Sequence, residues 1–125
     1  MAMAAAGARR PAAAEFGLGP RTSAGQLYTA TLQSAQPLRT RTMQTLYVSL
    51  AGPDGQPIEG AYMTVDGGMP QHGHGLPTRP RMTGTVGNGV YAIEGVRFNM
   101  GGWWEFKLSI TTASGTDVVT FNLNL

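Results

Sequence analysis

Both histidines of the chain, His72 and His74, lie in the segment from Gly67 to Arg81, which reads GGMPQHGHGLPTRPR. Imidazole nitrogens ligate metals, and a single intervening residue in an extended backbone puts both rings on one side. Met69, three positions before His72, adds a thioether. Imidazole with thioether is a copper donor set, and thioethers favour Cu(I). Gly73 and Gly75 let the backbone approach an ion without a Cβ in the way. Met100, between Asn99 and the pair Gly101-Gly102, completes a two-His, two-Met set if its turn packs beside the histidines. Met82 is a weaker candidate, since it also reads as the start of a strand.

The same residues have a plainer reading, as a solvated Gly-His-Gly-His-Gly loop and two methionines that fill core space. A pH-sensitive contact through the histidines is a further reading, with Asp66 the one carboxylate near them in sequence. Structural zinc asks for four ligands, usually including Cys, and the chain has no Cys. Calcium and magnesium ask for clustered oxygens, whereas the seven acids are scattered. No Cys nucleophile, G-x-S-x-G elbow, paired-carboxylate motif or phosphate-cradling loop is present, so the expectation is a protein that is not an enzyme. A net charge of +2, with no basic stripe interleaved with aromatics, makes a poor polyanion footprint, and no nucleic-acid partner is expected.

The elements that must position these side chains are short. Leu46, Val48 and Leu50 alternate with Thr45, Tyr47 and Ser49; Ala61, Met63 and Val65 alternate with Tyr62, Thr64 and Asp66. Trp104, Phe106, Leu108 and Ile110 form a third such series, and Val119, Phe121, Leu123 and Leu125 a fourth. This period-two pattern predicts half-buried strands. Gln26–Ser34 and Val90–Val96 are two further candidates. Gly52-Pro53-Asp54-Gly55, Gly87-Asn88-Gly89 and Ala113-Ser114-Gly115 have turn chemistry. The chain holds eighteen Gly and eight Pro, and 13% of its residues are charged. Such a composition disfavours long helices and charged disorder alike. The expected fold is all-β, an immunoglobulin-like antiparallel β-sandwich of about seven strands. Three Pro and four Gly exclude a helix and most strand pairing from Gly67–Arg81, which leaves it as a long loop.

Strand parity sends Trp104 into the core and Trp103 outward beside Met100, as a partly covered surface aromatic, a wall over the metal loop or a partner contact. Residues 1–22 are Ala-rich and too weakly apolar for a signal-peptide core. They read as a flexible tail or leader remnant, followed by one domain over 23–125. No apolar run is long enough to span a bilayer, so no transmembrane segment is expected.

These residues also carry a family resemblance. The run from Gly52 to Ala61, GPDGQPIEGA, is similar to the G-x-P-[VI]-x-G-A opening of bacterial envelope β-sandwiches. GMPQHGHGLPTRPR (68–81) followed by GNGVYAIEGVRFNMGGWWEFKLSI (87–110) resembles the YtkA-like domain family, which is related to FixH-type proteins. The resemblance extends over about 26–125 and implies a sandwich in, or facing, the bacterial periplasm or cell envelope. It also implies a role in copper handling or in the assembly of respiratory and copper enzymes, with a protein partner there. Carried over by position, the motif residues are Met69, His72, His74 and Met100. The two functional expectations are therefore a copper-binding carrier or assembly factor, and a metal-free interaction module using the histidine segment and Trp103. An enzyme with substrate over the histidines comes third.

Overall fold

Each alternating series becomes a strand. The computed structural model describes residues 9–125. They form β1 (Arg21–Thr22), β2 (Thr29–Gln33), β3 (Gln44–Ala51), β4 (Tyr62–Met69), β5 (His74–Gly75), β6 (Arg81–Gly87), β7 (Val90–Val96), β8 (Trp103–Thr112) and β9 (Gly115–Asn124). One 3-10 turn, Ala13–Glu15, precedes them. Two of the nine strands have only two residues, and the other seven match the expected number. All pairings are antiparallel, in two sheets ordered β1-β2-β3-β7-β6 and β5-β4-β8-β9. The chain is a two-sheet antiparallel β-sandwich.

The core lies between the sheets because each long strand turns one face inward. In β8 the inward residues Trp104, Phe106, Leu108 and Ile110 are fully buried. They meet Leu46, Val48 and Ile93 of the other sheet within one cluster. Trp104 stands edge-on to Phe98, with ring centres 5.2 Å apart. An indole N–H at that depth must find a partner. That of Trp104 donates to the Met100 carbonyl at 2.9 Å.

Following the strands gives the sandwich two different ends. The β1–β2, β3–β4, β6–β7 and β8–β9 connections share one, here called the turn end. Asn88 and Gly89 both have positive φ, 58° and 77°. Two such residues in succession make the β6–β7 link a type I′ hairpin turn. The Glu59 carboxylate accepts the Gly89 N–H at 2.5 Å. The Tyr91 hydroxyl donates to the Ile58 carbonyl and accepts from the Ala61 N–H, pinning the β3–β4 link. On β9, the Asp117 carboxylate accepts the N–H groups of Gly25 (2.8 Å) and Leu27 (3.3 Å). The Ser23 hydroxyl and these amides hold its pKa down at about 2, since each stabilises the charged form. The other end, the loop end, collects the β2–β3, β4–β5 and β7–β8 connections together with Leu125.

Two expectations are corrected, and one strand lies outside the alternation. Residues 1–22 were expected as a flexible tail; residues 1–8 lie outside the described ones, but the rest of that stretch is tied to the sandwich. Phe16 bridges Asn122 of β9, Gly17 donates to the Asn122 carbonyl at 2.9 Å, and Leu18 accepts the Leu32 N–H at 2.7 Å. Gly67–Arg81 is not one long loop. Its first three residues continue β4, and His74–Gly75 turn back as β5. The two glycines permit this: a side chain at Gly68 would overlap the His74 carbonyl oxygen, and one at Gly67 that of Glu105. Finally, β6 has no counterpart in the alternation. It is an edge strand with two register shifts and five exposed residues out of seven, so no apolar face marks it.

Candidate metal centre

Pro70-Gln71-His72-Gly73 form the loop of the β4–β5 hairpin, closed where Met69 pairs with His74. The Met69 carbonyl accepts the His72 N–H at 3.0 Å and the Gly73 N–H at 2.9 Å. Pro70 presets the first corner. Gly73, at φ 71°, takes the left-handed conformation that returns the chain to β5. The backbone between the histidines is therefore a tight turn, not the extended stretch assumed from their spacing. The rings nonetheless end up side by side, with centroids 5.7 Å apart and planes at 70°. Both histidines are exposed at the tip.

The two methionines have opposite environments. Met69 is 1% exposed and belongs to the core cluster. Gly102, whose φ of 122° disfavours any side chain, lies against its Cε atom, and this sets the β7–β8 turn close to the hairpin. Met100, two residues earlier in that turn, is 37% exposed, while its carbonyl is fixed by Trp104. The structure thus brings His72 and His74 together and sets the turn of Met100 against the base of their hairpin. Met69 anchors that base from inside.

Trp103 departs from its expected place. It is on the face opposite Trp104, as parity requires, yet only 6% of it is exposed. Its Nε1–H donates to Asn122 Oδ1 at 3.0 Å, on the strand that Phe16 bridges. With the ring covered and its polar tip used, Trp103 is not the outward aromatic that strand alternation suggested. Alternation reports which face a residue is on; it carries no information about what another part of the chain lays over that face.

On the outer side of the hairpin an open trough runs along Gly67, Gly68, Gly73 and Gly75, edged by Asp66, Glu105 and Lys107. Lys107 pairs with Glu105 at 3.4 Å. Glycines leave this strip of backbone bare, so ligands and solvent reach His74 from that side. Sequence reasoning did not single out Glu105 or Lys107. They reach the histidines only through the β4–β8 register, in which Gly68 pairs with Glu105. Among the described residues, no three His, Cys, Asp or Glu side chains group to hold a metal. The donors at the tip are therefore the two imidazoles, with the Met100 turn beside the base.

A family model described as YtkA-like matches residues 22–109. No curated protein and no solved structure matches the chain significantly.

Proposed function

The chain belongs to the YtkA-like family over residues 22–109, and from that premise and the histidine hairpin we propose a non-enzymatic copper-binding protein of the bacterial envelope. In this reading it is a carrier or assembly factor that supplies respiratory or copper enzymes in the periplasm through contact with a protein partner. Cu(I) is held by His72 and His74 at the hairpin tip, with the Met100 thioether as third donor. Met69 stays in the core and fixes the hairpin.

One observation carries the reading. Two imidazoles sharing an ion at bonds of about 2 Å have ring centres roughly 5–6.5 Å apart. The two rings here stand 5.7 Å apart. Exposure at a tip suits a site that must give its metal away, since a recipient's ligands can reach an ion there. Hairpin closure at Met69–His74 also fixes the backbone that carries both rings before metal arrives. The metal-free interaction module gains no support from Trp103, whose ring is covered.

Competition of the protein against a Cu(I) chelator tests the proposal. Removing both rings in His72→Ala/His74→Ala should weaken Cu(I) binding about a hundredfold or more, with the fold unchanged. Met100→Leu should weaken it less, and Met69→Leu hardly at all. Unchanged affinity in the double histidine variant overturns the assignment.

A further inference from the structure

A second site is built at the same end, from a loop that the copper reading does not use. The β2–β3 connection folds back over the outer face of its sheet and leaves a cleft of about 370 Å³ above Tyr47. Pro37 and Met43 supply apolar wall, Thr42 and Thr45 supply hydroxyls, and Arg39 is the one charged residue lining it. Met43 is 60% exposed, a large apolar side chain with nothing on it.

The loop is held in place despite its exposure. Gln44 accepts the Arg39 N–H at 3.1 Å through Oε1, and its Nε2 donates to the Arg39 carbonyl at 2.9 Å and the Thr42 carbonyl at 3.3 Å. The Arg41 N–H donates to the Phe98 carbonyl at 2.6 Å. Arg41 also keeps a φ of 57°, a left-handed value that non-glycine residues adopt at a cost. A bridge between Thr40 and Phe98 brings the backbone of Arg39 and Arg41 beside that of Arg97. None of these three arginines makes an ion pair among the described residues; the ion pair found there is Lys107–Glu105. No acidic side chain lines the cleft.

From the unpaired Arg39 guanidinium, the absence of carboxylate from the lining and the uncovered Met43, we infer that this cleft binds a short acidic segment of a partner protein, one that interleaves carboxylates with apolar side chains. Arg39 takes a carboxylate, two-pronged, as guanidinium geometry favours. Met43 and Pro37 take the neighbouring apolar group, and Tyr47 forms the floor. The site lies apart from the histidines and stands or falls independently of copper.

NMR titration of the metal-free protein with the hexapeptide Ac-Asp-Leu-Asp-Phe-Asp-Leu-NH2 tests it, with the Asn-for-Asp peptide and inorganic phosphate as separate arms. The acidic peptide should shift the Met43 methyl and Tyr47 ring signals and lose affinity as salt rises. Arg39→Ala should weaken it about three- to fivefold, and Met43→Ser should weaken it with Arg39 intact. Both positions are exposed, so these variants keep the fold. Equal binding of the Asn peptide, equal shifts with phosphate alone, or an unchanged Arg39→Ala affinity would each overturn the inference.

Discussion

The two ends of this sandwich are built on opposite plans. At the turn end, the connections are locked by side chains that bond to backbone, the Glu59 and Asp117 carboxylates and the Tyr91 hydroxyl, and by the left-handed pair Asn88-Gly89. At the loop end the backbone is equally well held, by the Met69 carbonyl, the Trp104 indole and the Gln44 amide, but the side chains it carries are left free. His72, His74, Met100, Arg39 and Arg41 are all exposed there. Rigid backbone with unspent side chains is what a binding surface needs, since ordering costs are met before the ligand arrives. The difference between the ends is thus one of side-chain employment, with backbone order common to both.

The strongest challenge to that picture is Trp104→Ala. It empties a fully buried site and releases the Met100 carbonyl, so a loss of about 3–5 kcal/mol is expected in urea unfolding. A much smaller loss would mean that the loop end is not held from the core beneath it. Next come two matched glycine substitutions. Gly89→Ala at the turn end meets both a left-handed φ and neighbours, with the Leu50 carbonyl oxygen 2.8 Å and Pro57 Cβ 2.9 Å from the new atom. Gly73→Ala at the histidine hairpin meets the same kind of φ and open space. The first should cost about 2–4 kcal/mol and the second about 1–2 kcal/mol. Equal costs, read from paired thermal melts, would erase the distinction.

Acid should weaken the Asp117 clamp of the turn end. The Asp117 pKa is depressed in the folded chain to about 2. Its contribution is therefore complete above about pH 4 and lost as pH falls through the folded value. Asp117→Asn should flatten the stability profile over that window, and an identical slope in wild type and variant would exclude the clamp as its source. Smallest of all is Arg41→Gly. The substitution relieves a left-handed Arg at φ 57°. Offset by the greater freedom of glycine when unfolded, that relief should give about 0.5 kcal/mol of added stability. Any sizeable destabilisation would show that the Arg41 side chain is employed after all.

Legibility in the sequence followed the same division. Period-two alternation located β3, β4, β8 and β9 because each has one buried face, and the Gly-Pro-Asp-Gly and Asn-Gly signals marked turns that form. It passed over β6, whose burial barely alternates, and it could not see that glycine would let Gly67–Met69 extend β4. At the site, residue types identified His72 and His74. Their proximity comes from a turn that spacing alone did not suggest. Burial of Met69 and covering of Trp103 are products of long-range packing: the first against Gly102, the second beside a strand that Phe16 joins from far away in the chain. The Arg39 cleft left no motif, because its shape depends on a Gln44 side chain folding back onto its own loop.

The attachment of the amino-terminal segment sets an order of events during synthesis. Gly17, next to the Phe16–Asn122 bridge, donates to Asn122, and Gly25 and Leu27 donate to Asp117, so their partners leave the ribosome long after them. The β8–β9 hairpin, ten paired positions joined by a two-residue turn, is the most local piece of its sheet and can zip as soon as it emerges. Residues 16–27, made well before β9, are then the last to find their seats. A chain stalled before β9 leaves residues 16–27 without their clasp and β8 as an open sheet edge, a template for pairing with another chain.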